Sequence, residues 1–260
     1  MYKNFSIILK IFIFINCFAS DFAQAQVVNI ESARIKGKDS VGWYGTLGAN
    51  INLIKNTKQI TQAEANGLVQ HNSVRDIWLL VARTSVLQAD NDALTNETFA
   101  HLRNTHRLNS WLRTEAFAQV QNNAVTRIKL RALAGAGLRF RLVKTKKTAA
   151  YAGTAYMYEY TDESLPKGEI NTLREHRSSN YFTLTYTPSS TVELTSTTYY
   201  QPLFTALSSD FRIMGEHRAR FKLQKHLSFT TQFRFLYDTE PVPTVTDYTY
   251  SWLNGLQWEF

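Results

Sequence analysis

The run DYTYSWLNGLQWEF, Asp247 to Phe260, decides how this chain reads. Tyr248, Tyr250, Trp252, Leu256, Trp258 and Phe260 take the even positions, and Asp247, Thr249, Ser251, Gln257 and Glu259 the odd ones. Side chains of a strand alternate faces, so one face is almost continuously aromatic or aliphatic and the other mostly polar. A soluble sandwich could bury such a face. Chain ends are normally frayed, however, and this much aromatic surface on a last strand implies that something binds the end itself.

The end resembles the C-terminal signal by which bacterial outer-membrane barrels are handed to their assembly machinery: Gly255, then aromatics at Trp258 and Phe260. Leu253 departs from it, since the signal prefers a polar residue there. At the other end, Lys3 and Lys10 precede a hydrophobic run from Ile11 to Ala19, and Ala23, Gln24, Ala25 fit the small-x-small cleavage rule. Residues 1–25 therefore read as a signal peptide cut after Ala25, with 26–40 a short polar periplasmic segment and 41–260 the folded domain. Lys10, Asn16 and Asp21 interrupt the leader too often for a spanning helix. Cys17, the one cysteine, lies inside the leader behind Asn16, where a lipoprotein box would want a small residue. The exported chain then carries no thiol and no disulfide.

The net charge is +8, and it becomes +7 when Lys3, Lys10 and Asp21 leave with the leader. An exported basic chain meets little nucleic acid, so its expected partners are outer-membrane lipid, lipopolysaccharide phosphates and small anionic solutes. Aromatic residues make up 13% of the chain, which suits a large secreted all-β domain or a barrel with a polar interior.

Period-two alternation recurs along the chain with polar turns between. Trp43, Leu47, Ala49, Ile51 and Leu53 oppose Tyr44, Thr46, Asn50 and Asn52 over Gly42 to Lys55. Ala63, Ala65 and Gly67 alternate poorly in the second strand, Gln59 to His71. In the third, Trp78, Leu80, Ala82, Thr84 and Val86 face away from Asp76, Arg83 and Ser85, and a loop is expected over Ala89 to Asn96. Strands over Glu97 to Leu108 and Trp111 to Asn122 flank an Asn109, Ser110 turn. Ile128, Leu130, Ala132, Ala134, Ala136, Leu138, Phe140 and Leu142 make one apolar face against Lys129, Arg131, Arg139 and Arg141. Ala149 to Tyr160 precedes the longest expected loop, Thr161 to Glu175. Phe182, Leu184 and Tyr186 mark an eighth strand, and Val192, Leu194 and Tyr200 a ninth. A tenth sets Phe211, Ile213 and Phe221 against Arg212, Arg218, Arg220 and Lys222, and Phe229 to Tyr237 is an eleventh with Arg234 inward.

About twelve strands, an even number, fit an all-β, closed antiparallel transmembrane barrel of up-and-down topology. Turns after even strands read short and several after odd strands long, the pattern of periplasmic turns and extracellular loops with both termini periplasmic. Trp43, Trp78, Trp111, Tyr158, Tyr160, Tyr200, Tyr237, Tyr248 and Trp258 lie near strand ends, as interfacial girdles would. A soluble two-layer protein with a solvated, Arg-rich exterior is the competing arrangement.

With these residues placed, the chain resembles the salt-induced outer-membrane protein family, bacterial barrels assigned to a domain of unknown function. The resemblance spans Val41 to Phe260. It rests on Gly42 and Trp43, glycine-rich Leu133 to Leu138 followed by Arg139, the basic Lys144 to Lys147 turn, Leu227 to Tyr237 closed by Asp238, Pro241 and Pro243, and the aromatic last strand. It implies location and fold, and carries no catalytic residue.

The inward face collects Lys129, Arg131, Arg139, Arg141, Arg212, Arg218, Arg220, Lys222 and Arg234, with Glu115, Glu193, Glu216 and Glu259 as candidate partners. Cross-strand pairing would fill a narrow barrel with its own side chains and leave a structural or envelope-stress role. Alternatively, a lumen this basic is a narrow pore for small anionic solutes. No metal or cofactor motif occurs: His101 and His106 fall on opposite faces. His176 and Ser178 share an outward face near the extracellular rim, the residue types of outer-membrane lipases, with Gln201 as an orienting neighbour. The same spacing at His71 with Ser73 and at His226 with Ser228 shows how common it is. The chain is read as a non-enzyme.

Overall fold

The computed structural model describes residues 40–55, 59–89 and 92–258. The leader, most of the 26–40 segment, Glu259 and Phe260 lie outside the described residues. Twelve strands follow one another: β1 (Gly42–Lys55), β2 (Gln59–Asn72), β3 (Asp76–Ala89), β4 (Asp92–Arg107), β5 (Leu112–Asn123) and β6 (Ile128–Lys144). The second half holds β7 (Thr148–Ser164), β8 (Ile170–Ser189), β9 (Val192–Pro202), β10 (Phe211–Lys222), β11 (Leu227–Asp238) and β12 (Tyr248–Trp258). Each pairs antiparallel with its neighbours in sequence, giving one up-and-down sheet in the order β1 to β12. No helix among the described residues is long and apolar enough to cross a membrane.

The turns after even strands are short because side chains close them. Ser73 Oγ accepts the Asp76 amide at 2.9 Å, Asn109 Oδ1 those of Trp111 and Leu112 at 2.9 and 2.8 Å, and Thr145 Oγ1 that of Thr148 at 2.9 Å. These Asx and Ser/Thr turns satisfy amides that a tight reversal leaves without a ladder partner.

The sheet is strongly curved. Strands lie about 4.8 Å apart, so β7 and β10 would be about 14 Å apart in a flat sheet. Glu159 of β7 nevertheless meets Arg212 of β10 at 2.8 Å, and Glu115 of β5 meets Tyr181 of β8 at 2.6 Å. Both contacts lie on one side, the inner face. Glycine makes room for inward rings at two points: a Cβ on Gly135 would strike the Phe117 ring, and one on Gly153 the Tyr181 ring, each ring belonging to the cross-strand partner.

The convex face carries the apolar stripes expected from the alternation: Trp43, Leu47, Trp78, Leu80, Leu138, Phe182, Leu194, Tyr250 and Trp252 are all exposed. Of the girdle aromatics, Trp43, Trp78, Trp111, Tyr158, Tyr200 and Tyr248 are exposed as well. The inner face is polar and ionic, with two apolar patches: Leu79 and Phe99 backed by Leu68 and Val81, and Tyr181, Tyr199 and Met214 backed by Leu236.

Several expectations are corrected. The Ala89 to Asn96 loop is mostly ladder, since β3 and β4 pair as far as Ala89 with Asp92. Thr161 to Glu175 is also ladder, closed by a short turn over 165–169. The second segment lacks apolar alternation because its inward positions are polar or ionic: Thr161 and Glu163 are buried. Long connections therefore remain only at 203–210 and 239–247 among the described residues, and loop length alone marks the two ends weakly. The second strand is fully registered against β1, from Gly42 with Asn72 to Lys55 with Gln59. A bulge between Ile128 and Leu130 turns Ile128 inward, where it is buried, and leaves Lys129 exposed, reversing the pair. Asp76 shares the side of Trp78 and bonds His106 at 2.8 Å on the convex rim. No β1–β12 pairing occurs among the described residues.

Candidate functional site: an ion-paired inner face

Glu159 is the centre of the inner face and is 1% exposed. It pairs with Arg131 at 3.0 Å and Arg212 at 2.8 Å, and Thr161 donates to it at 3.1 Å. Arg212 reaches on to Asp238 at 2.9 Å. Beside it Arg177, also 1% exposed, pairs with Glu175 at 2.9 Å and Asp210 at 2.8 Å and donates to the Gln201 carbonyl at 3.3 Å. Three guanidiniums and four carboxylates thus interlock, leaving one negative charge in excess. Buried charges persist only when paired and hydrogen-bonded in this way.

A second cluster surrounds Glu115. Arg103 and Arg139 each stand 3.8 Å from its oxygens, Tyr181 donates to it at 2.6 Å, and Thr105 at 3.2 Å. Arg139 donates to the Tyr181 hydroxyl at 2.8 Å and lies 4.1 Å over the Tyr151 ring. Between the clusters is a cavity of about 40 Å³ lined by His101, Gln119, Gln121 and Met157, the scale of one or two waters. His101 Nδ1 bonds Gln119 at 2.9 Å, and Gln119 donates to Gln121 at 2.7 Å.

Pairing loosens around the curve. Arg234 meets Glu216 at 3.2 Å and Arg218 meets Glu193 at 3.7 Å, with the two arginines 26% and 30% exposed. Arg220 donates to Ser228 at 3.3 Å. In β1 the inward Thr46, Asn50 and Asn52 are exposed, so this side of the inner face is open to water.

Of the nine expected basic residues, the structure brings Arg131, Arg139 and Arg212 into the buried clusters and leaves Arg218, Arg220 and Arg234 on the open side. Arg141 is half-buried opposite Tyr151, Lys222 is exposed at the end of β10, and Lys129 leaves the face at the bulge. Among the expected carboxylates Glu115, Glu193 and Glu216 are partners, and Glu259 is outside the described residues. Sequence reading missed Arg103, Arg177, Glu159, Glu175, Asp210 and Asp238. Parity held the signal for Glu159, since Tyr158 and Tyr160 on either side face outward.

His176 and Ser178 do face outward, but each is engaged elsewhere. Tyr156 bonds His176 at 2.5 Å, and Asn180 donates to Ser178 at 2.9 Å. Gln201, the expected orienting neighbour, is on the opposite face and donates to Ser179 at 3.0 Å. No group of three or more metal-ligating side chains is found among the described residues. Of the assembly-signal residues, Gly255 lies in β12, the Trp258 backbone pairs with Leu227, and Phe260 is outside the described residues.

A family described as "Protein of unknown function, DUF481" matches residues 46–258. Among solved structures the chain is similar to the NanC porin in a rhombohedral crystal form, at 9% identity and a TM-score of 0.49, covering 83% of this chain and 99% of that one. It is also similar to the KdgM porin in complex with disordered oligogalacturonate, at 12% identity and a TM-score of 0.39, covering 82% and 99%. No curated protein matches.

Proposed function

Because this chain belongs to the DUF481 family, whose description assigns no activity, we propose a function from its own residues: a bacterial outer-membrane barrel that passes small solutes, anions in preference. One observation carries the reading. A single curved sheet presents apolar side chains outward on strand after strand and ionised ones inward, the reverse of a water-soluble sheet. In lipid an open sheet edge is intolerable, so β12 returns to β1. An even strand count makes that seam antiparallel, and the outward Trp43, Leu47 and Ile51 of β1 continue the face of Tyr250 and Trp252. The end carrying the even turns, with both termini, faces the periplasm.

The Glu159 and Glu115 clusters occupy one side of the lumen, which accounts for a filled interior. The passage is the remaining side, between β10–β12 and β1–β2. On this wall Arg218, Arg220 and Arg234 stand with Glu193 and Glu216, and Glu64 of β2 is held by Arg83 of β3 at 3.3 Å, so four arginines face three carboxylates, the wall keeps one positive charge and small anions are favoured. The role is a conduit and needs no catalytic residue. The assembly machinery that reads Gly255, Trp258 and Phe260 is the expected partner for insertion.

Planar-bilayer recording tests this. Purified protein is expected to give small conductance steps with a reversal potential on the anion side, and Arg218→Gln with Arg234→Gln should move that potential toward zero. A silent bilayer, or unchanged selectivity in the double variant, overturns the anion pore. A mature chain that stays monomeric in buffer without detergent overturns the membrane placement.

A further inference from the structure

On the convex face, β8 to β12 enclose a trough of about 580 Å³. Its walls are Leu184, Tyr186 and Leu194 on one side and Phe233 and Trp252 on the other. Its floor is low because the register places short side chains side by side: Ala219 stands between Leu194 and Thr231, and Ser196 is opposite His217. The polar atoms of the floor meet each other: Ser196 Oγ bonds His217 Nδ1 at 2.9 Å, and Trp252 Nε1 donates to Thr231 at 2.8 Å. What the trough presents is hydrocarbon.

Charge at its mouth identifies the occupant. The even-numbered turns carry Arg75, Arg107, Lys144, Lys146, Lys147 and Lys225, with Asp76 their one carboxylate. The described turns at the opposite end instead hold Glu169, Asp210, Glu240 and Asp247 against Arg127 and Lys167. Tyr186, Leu194, Ala219 and Thr231 of the trough's lining lie in the half of their strands nearer the basic end. Along β10 Ala219 is followed by Phe221 and the turn carrying Lys225, while Tyr186 pairs with Thr148, next to Lys147. Both lysines are exposed.

We propose that this trough binds one anionic glycerophospholipid, an acyl chain lying between Leu194 and Trp252 and the phosphate held by Lys147 and Lys225. The site rests on the membrane placement above and adds to it a lipid class and a location. A zwitterionic lipid fits the trough equally well but gains nothing from the lysines, so headgroup charge sets the preference.

The full mature chain, reconstituted in phosphatidylcholine vesicles, tests it. Trp252 emission is taken as the difference between wild type and Trp252→Phe, and a small fraction of acyl-brominated phosphatidylglycerol or acyl-brominated phosphatidylcholine is added. The brominated anionic lipid should quench the Trp252 component several-fold more, and unbrominated phosphatidylglycerol should restore it. Lys147→Gln with Lys225→Gln should abolish the difference, and Ala219→Phe, which fills the floor, should protect Trp252 from both lipids. Equal quenching by the two lipids in wild type overturns the site and leaves the membrane placement standing. Recovery by lipopolysaccharide but not by phosphatidylglycerol overturns the assigned occupant. No quenching of any tryptophan by either lipid overturns the membrane placement itself.

Discussion

In the β7–β10 arc the inward Glu159, Thr161, Arg177 and Thr197 are at most 1% exposed, whereas in the β1–β2 hairpin the inward Thr46, Asn50 and Asn52 stand in water. Both regions are antiparallel ladders, the arc with one register shift, between Tyr186 and Ser189. They differ in what reaches across the curve. The arc has long ionised side chains that span three strands and find opposite charges, together with glycines that let rings lie flat against the sheet. In the hairpin, Thr46, Asn50 and Asn52 of β1 are short and uncharged and end within the ladder, as Asn52 and Gln62 do at 3.5 Å, and only Glu64 of β2 reaches beyond it, to Arg83 of β3 at 3.3 Å. Filling a curved sheet is therefore a matter of side-chain reach and charge pairing, while the ladder sets only the positions.

The strongest way to break this contrast is to remove the carboxylate the arc is built on. Glu159→Leu leaves Arg131 and Arg212 facing each other in a buried site, a change of the kind that costs roughly 3–5 kcal/mol. The urea midpoint of the folded form, followed by its heat-modifiable gel mobility, should fall accordingly. An unmoved midpoint would mean that the cluster fills space without stabilising the arc. Gly153→Ala is the next largest, because its new methyl group meets the Tyr181 ring and overpacking of this kind costs about 1–3 kcal/mol. Combining it with Tyr181→Ala should recover part of that loss, and strict additivity in the double variant would exclude the ring as the cause.

The same contrast explains how much the sequence disclosed. Alternation gave the strand count, the outward face and the basic inner face, because a bilayer-facing sheet must repeat one apolar stripe on each strand. It failed where the stripe fails. Thr161 to Glu175 reads as a loop because its inward positions are Thr161, Glu163 and Glu175, residues stabilised by partners on other strands that a local pattern cannot see. The bulge at Lys129 was hidden for a related reason: inserting one residue shifts the parity on one side, and Ile128 and Lys129 look equally plausible in either register. Arg177 was also beyond local reading, since its partner Asp210 lies in a loop two strands away.

The smallest stability effect belongs to the open side, and it separates the two regions most sharply. Asn50→Asp places a carboxylate on an exposed inward position of β1 directly opposite Glu64, a like-charge pair softened by Arg83, so the urea midpoint should fall by no more than about 1 kcal/mol. If the passage runs along this wall, the new charge faces Arg218 and Arg234 across it and reduces the net positive potential felt by a permeating ion. Anion preference in planar bilayers should then fall while the folded form is retained. An Asn50→Asp variant whose selectivity equals wild type would place the conducting path elsewhere, and the exposed face of β1 would be open without being the route.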